Sequence, residues 1–269
     1  MRHPSAGLRD STVSAVGIAL AAIFVLFIVV ALAALLLRVS PQAFGAALRS
    51  PIVLQALWLS LKTSSLCALI IAACGTPLAA LLTRSFRGSH ALETLVTLPV
   101  VLPPVVGGLA LLLAFGRMGL LGRQLDMFGI HLPFTTAAVV LAQTFVAAPL
   151  YIAVAKSAFA RVDPNLVDAA ATLRASRTYT FVRVIIPPAL PALAGGLALA
   201  WARALGEFGA TITFAGNLPG VTQTMPIAVY MSAQTDLQPA ITVAVVLMVL
   251  SYGALLIVRR AAGGAGLTP

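Results

Sequence analysis

The chain has 269 residues, 60% of them hydrophobic and only 9% charged, with a mean hydropathy of +1.04. Soluble domains carry about a quarter charged residues, so a surface this poor in charge must be covered by lipid, which excludes a soluble domain. The net charge of +10 does not point to nucleic acid, because the basic residues lie in short stretches between apolar runs and not in one patch interleaved with aromatics.

The first apolar run, Ala15–Leu37, holds 23 residues without a charge. It exceeds a signal-peptide core and is long enough to cross a membrane, so it reads as an uncleaved first span behind a cytoplasmic tail, 1–14. The next stretch, Pro41–Ser60, contains Arg49 and Gln55. It is expected as an interfacial lead-in that sets Lys62 at the outer membrane boundary, where it can snorkel.

Five further spans are expected at about Thr63–Leu82, Leu95–Phe115, Thr135–Ala155, Ala192–Ala215 and Pro239–Val258. Each approaches the roughly 20 residues a helix needs to cross the hydrocarbon core. The fold class is therefore all-α: a polytopic membrane protein with six transmembrane helices, one transmembrane domain over 15–258 and a tail over 259–269. Cys67 and Cys74, seven apart in one span, would hold their Cα atoms roughly 10 Å apart, too far for a disulfide. They read as small buried hydrophobes.

Arg2, Arg9, Arg84, Arg87, Lys156, Arg161, Arg174, Arg177, Arg183, Arg259 and Arg260 fall on one side of these spans, eleven in all, against four on the other: Arg38, Arg49, Arg117 and Arg123. The excess places both termini and the long 156–187 loop in the cytoplasm. Pro99, Pro103 and Pro104 fall in the third span and Pro149 in the fourth. Such breaks line a pathway or are packing kinks.

The 156–187 loop is polar and doubly helical. Asp163 can cap the first helix and Pro164 fits its first turn. Leu166, Val167, Ala169, Ala170 and Leu173 follow, with Asp168 in the middle. Ser176 can cap a second helix, Arg177–Ile186, anchored by Tyr179, Phe181, Val182 and Ile185 and ended by Pro187 and Pro188. The bulk-free run Ala169–Ala171 lets another surface approach closely. The plainer alternative is an amphipathic linker on the headgroups.

Asp168-Ala169-Ala170, then Ala175, Phe181, Val184 and Pro187, resembles the EAA motif of bacterial ABC importer permeases. In that family this loop forms two coupling helices that enter a groove on the ATPase subunit. The resemblance assigns Asp163, Asp168, Ala169, Ala170, Leu173, Arg174 and Pro187 to ATPase coupling. Two positions depart from the motif: Asp168 replaces glutamate, and Arg174 replaces glycine at the turn between the helices. If that turn needs φ > 0, arginine there costs of the order of 1 kcal/mol.

Residues 201–231 read WARALGEFGATITFAGNLPGVTQTMPIAVYM. Arg203 and Glu207 are four apart and can pair on one helix face. At that depth they serve the pathway or hold one helix on another. Asn217, Gln223 and Thr224, with Gly220 and Thr222, form a neutral polar cluster after the fifth span, either passing an oxyanion along without trapping it or simply meeting solvent. This segment resembles the molybdate permease subgroup and its sulfate relatives. That resemblance implies a homodimeric permease in a bacterial inner membrane, with two cytoplasmic ATP-binding subunits and a periplasmic or lipid-anchored oxyanion-binding protein.

No Gly-rich phosphate loop ending in Gly-Lys-Ser/Thr occurs; Gly116–Arg123, GRMGLLGR, lacks the lysine–hydroxyl pair. The chain is expected to be no enzyme and to hold no cofactor, ATP and magnesium belonging to the partner. No metal site is expected, since His3, His90 and His131 lie far apart in loops. Two other classes stay open. One is an ion-coupled secondary transporter, which uses acids within its spans, and the other an intramembrane enzyme, which needs a catalytic pair at one depth.

Overall fold

The computed structural model describes residues 6–263, and all regular structure among them is helical. Arg2, His3 and the last part of the C-terminal tail lie outside the described residues. Helix α1 (Ala6–Leu36) is apolar from Ala15 onward, and no residue of that Ala15–Leu36 stretch is buried. Ser40 caps α2 (Pro41–Ala47) by accepting from the Ala43 amide at 3.1 Å.

Helix α3 (Pro51–Ile70) passes through one π turn, Ile71–Gly75, into α4 (Thr76–Leu82). Together they form a continuous helix of 32 residues. The expected lead-in is thereby corrected: the span begins at Pro51, and Val53, Ala56, Leu59 and Ser60 belong to its buried face. Lys62 lies within this continuous helix. Gln55 made the segment look interfacial, yet it faces the loop at Gly220, where a Cβ would lie 3.4 Å from its Oε1. The π turn accommodates Pro77, which has no amide to continue the ladder. Thr76 Oγ1 donates to the Ala72 carbonyl at 2.6 Å and meets the Tyr151 hydroxyl at 2.6 Å.

The expected third span divides into α5 (Ser89–Val101) and α6 (Pro104–Phe115), bent by 118°. Leu102, preceding a proline, is held extended at ψ 135°, which stops α5. Pro99 stays inside α5 without breaking it, and His90 lies in its first turn, not in a loop. Between α6 and α7 (Gly122–Met127) the glycine-rich stretch is a tight crossing: a Cβ on Gly122 would overlap the Gly116 carbonyl oxygen.

Helix α8 (Thr136–Ala160) is the axis of the molecule, with over half its residues buried against a third at most in the other candidate spans. It continues through Pro149 and takes Lys156 with it, so the following loop begins only at Arg161. After α9 (Pro164–Thr172), α10 (Arg177–Thr180) runs through a second π turn, Phe181–Ile185, into α11 (Ile186–Leu205). This corrects the expected stop at Pro187. Both Pro187 and Pro188 start the helix that follows the π turn, where missing amides are tolerated.

The expected fifth span is cut instead at Gly206–Phe208, ahead of α12 (Gly209–Ala215). Helices α13 (Met225–Thr235) and α14 (Leu237–Gly263) complete the chain. Among the described residues, by length and composition, four helices can cross a membrane, and the bent α5–α6 pair makes at most a fifth. The described apolar part of α14, Leu237–Gly253, is shorter, so length alone does not reach the expected six.

The half-helices α6 and α12 lie side by side and run the same way. A Cβ on Gly209 would sit 2.9 Å from Pro104 Cβ, and one on Gly108 would sit 2.6 Å from the Ala210 carbonyl oxygen. Small residues thus let the two backbones touch. Gly108→Ala is expected to destabilise the protein by about 1–3 kcal/mol, the range of overpacking. Gly195→Ala, with nothing within 4 Å of its Cβ, should leave the thermal midpoint in detergent unchanged.

Candidate functional site

The cut between α11 and α12 holds the one buried acidic or basic side chain among the described residues. Glu207 is 1% exposed. Its Oε1 accepts from the Ala210 amide at 2.8 Å, satisfying a free donor in the first turn of α12. Its Oε2 lies 2.6 Å from Arg203 Nη1, in the last turn of α11, off the N–H axis, so this is a charge contact without a directed hydrogen bond. The expected i,i+4 pair is present, but it spans a break and does not decorate one helix face. One carboxylate holds both halves of the interrupted helix.

A second feature of this level is unpaired polarity. Both side-chain amide atoms of Gln143 and the hydroxyl of Thr211 are buried without partners, as is the Thr224 hydroxyl in the layer beyond α12. Each such group costs about 1–3 kcal/mol in an apolar surrounding. A Cβ on Gly196 would lie 2.9 Å from Val154, which fixes the antiparallel register of α11 on α8. Gln143 is eleven residues before Val154, and Glu207 eleven after Gly196, so the orphan amide stands level with the carboxylate. Sequence reasoning missed Gln143; a lone amide inside an apolar span was the available signal.

Asn217, Gln223 and Thr224 form a separate layer. The seven residues of α12 put roughly 10 Å of helix between them and Glu207. Gln223 Nε2 donates to Asn217 Oδ1 at 2.8 Å, Thr222 Oγ1 accepts from the Leu218 amide at 2.9 Å, and Ser60 Oγ accepts from the Met225 amide at 2.8 Å. Thr222, Gln223 and Thr224 are buried, so this is a packed layer and not a solvated loop. Gly216 and Gly220 supply its positive-φ turns.

The 161–185 segment has the local structure its sequence implies. Asp163 Oδ1 accepts from the Asn165 amide at 2.9 Å and caps α9. At the other end the Ala175 amide reaches the Ala170 carbonyl at 3.0 Å and the Arg174 amide the Ala171 carbonyl at 2.9 Å. These two bonds are a Schellman closure, whose turn residue is left-handed. Arg174 is that residue, at φ 54°. Ser176 caps α10.

Ala170 is buried against the body of the protein, whereas Asp168 and Ala169 are exposed. Phe181 packs on Phe159 with ring centroids 5.8 Å apart, and Ile185 joins the same cluster. Tyr179 and Val182, expected as anchors beside them, point outward instead, as do Leu166 and Leu173, the last 82% exposed. The segment therefore turns one apolar face inward and offers a second outward.

Residues 73–262 match the family of binding-protein-dependent transport system inner membrane components. The chain is 43% identical over 229 residues to the molybdenum transport system permease protein of Mycobacterium tuberculosis (strain H37Rv), covering 84% of this chain and 86% of that protein. With the protein of the same description from Escherichia coli (strain K12), identity is 45% over 183 residues, 67% of this chain and 80% of the relative. In fold it is similar to a chain of a bacterial ABC transporter involved in the import of the acidic polysaccharide alginate. That likeness has a TM-score of 0.80 and 16% identity over 97% of each chain.

Two substitutions test these local readings. Arg174→Gly should stabilise the segment by about 1 kcal/mol by relieving the left-handed residue, seen as slower proteolysis between α9 and α10. Glu207→Ala strands Arg203 and should cost about 3–5 kcal/mol. Double replacement of Arg203 and Glu207 by Met and Leu should recover only the part due to the stranded Arg203, because the Ala210 amide still loses its acceptor, so the thermal midpoint should lie between Glu207→Ala and wild type.

Proposed function

Because this chain belongs to the family of binding-protein-dependent transport system inner membrane components, we propose that it is the permease subunit of an ATP-driven importer of molybdate. The relatives at 43–45% identity carry molybdenum transport in their names, and that likeness is the observation carrying the substrate. Two copies form the pathway, two ATP-binding subunits dock from the cytoplasm, and a periplasmic or lipid-anchored binding protein delivers the oxyanion. The same architecture would serve tungstate, sulfate or thiosulfate.

The 161–185 segment is the docking element. An exposed apolar face bearing Leu166, Leu173, Tyr179 and Val182, on a segment rich in arginine, is costly in water unless another protein covers it. The positive-inside bias favours its cytoplasmic placement. Asp163, Asp168, Ala169, Ala170, Leu173, Arg174 and Pro187 then act in coupling. ATP, with magnesium, binds between the partner subunits, whose closure moves this segment and, through α8 and α11, exchanges inward for outward access. Arg203, Glu207, Asn217, Gln223 and Thr224, joined by Gln143, are the pathway residues. Their donors are neutral except for an arginine already balanced by Glu207, which suits an anion that must leave again.

The test is ATPase activity of the complex co-purified with this chain, in lipid, with binding protein loaded with molybdate or sulfate. Stimulation by the molybdate-loaded form alone is expected, and equal stimulation by sulfate would overturn the substrate. Gln223→Ala with Thr224→Ala should lower uptake while leaving assembly intact; unchanged uptake would remove these two from the pathway.

A further inference from the structure

We propose that the Glu93–Lys156 ion pair makes α5 a lever that transmits movement of the docking segment to the proline break beside Glu207. This role rests on the transport reading above. Lys156 stands on the last turns of α8, just ahead of the segment, and its Nζ contacts Glu93 Oε1 in the second turn of α5. Of the ion pairs among the described residues, His131–Asp126 and Arg203–Glu207 are local in sequence, and this one joins residues 63 apart.

The rest of α5 is loosely held. None of its side chains is fully buried, only Leu92 and Val96 pack on the core, and a groove of about 510 Å³ separates Thr94, Thr97, Leu98 and Val101 from Pro149 and Val154 of α8. An element with so little packing is free to move as a unit. Its position is set at two ends. One is the ion pair together with the core contacts of Leu92 and Val96 beside it, and the other is the bend at Leu102–Pro103, after which Pro104 abuts Gly209, two residues beyond Glu207. The part of α5 from Glu93 to the bend makes a rod of about 14 Å between them.

The side chains of Lys156 and Glu93 are 31% and 37% exposed. A pair this exposed contributes little to stability, so its loss changes how motion is shared and not whether the protein folds. With binding protein and the ATPase in vesicles, the readout is molybdate taken up per ATP hydrolysed. Glu93→Lys and Lys156→Glu should each lower this ratio about fivefold or more, the lower end of energetic coupling between sites, with the thermal midpoint unchanged. The double exchange should return it close to wild type, whereas Glu93→Gln with Lys156→Gln should stay low. Wild-type ratios in both single variants, or a low ratio in a well-folded double exchange, overturn the lever alone. A wild-type complex without ATP-driven uptake overturns the transport reading, and this role with it.

Discussion

A helix cut inside an apolar surrounding leaves backbone donors and acceptors that no water can satisfy, and the carboxylate of Glu207 is what makes the cut between α11 and α12 tenable. It takes the first-turn amide of α12 through one oxygen and the guanidinium of α11 through the other. The short helix α12 is thereby freed to lie along α6, where glycines at 108 and 209 bring the backbones together. Two interrupted spans so meet at one depth, and the unpaired amide of Gln143 stands at that depth as well. A break, a buried charge and orphan polar groups at one level are what a lipid-facing scaffold avoids and a pathway requires.

The second constraint is how proline is handled. At Pro77 and at Pro187–Pro188 the chain widens into a π turn and the helix continues; at Pro103–Pro104 it breaks by 118°. The difference lies in the preceding residue: Leu102 is driven extended, whereas Thr76 and Ile186 keep helical angles within widened turns. Continuity at Pro187 has a mechanical consequence. The second helix of the 161–185 segment and α11 form one rod of 29 residues, Arg177–Leu205, ending at the Arg203–Glu207 contact. Force applied at Tyr179 or Val182 therefore reaches the cut without crossing a flexible joint.

Local chemistry was legible in the sequence and tertiary geometry was not. The caps at Asp163 and Ser176, the strained turn at Arg174 and the Arg203–Glu207 pair each depend on residues within four positions of one another, and each is present. Hydropathy reports composition, so it joined α5 to α6, although Pro103 and Pro104 marked that break, and α11 to α12 across a cut that no proline marks. It also excluded Pro51–Ser60 from a span because of one glutamine that a distant loop accommodates. The inward turn of Phe181 beside the outward turn of Tyr179 depends on where α8 ends. Nothing local marks the Glu93–Lys156 contact, since its partners are 63 residues apart.

The most direct measurement is molybdate accumulation in sealed vesicles carrying the complex, with ATP and an ion gradient supplied separately. Accumulation with ATP and binding protein together, unaffected by collapsing the gradient, is the expected result. Accumulation that follows the gradient and ignores ATP would contradict the account and return the chain to the ion-coupled transporters.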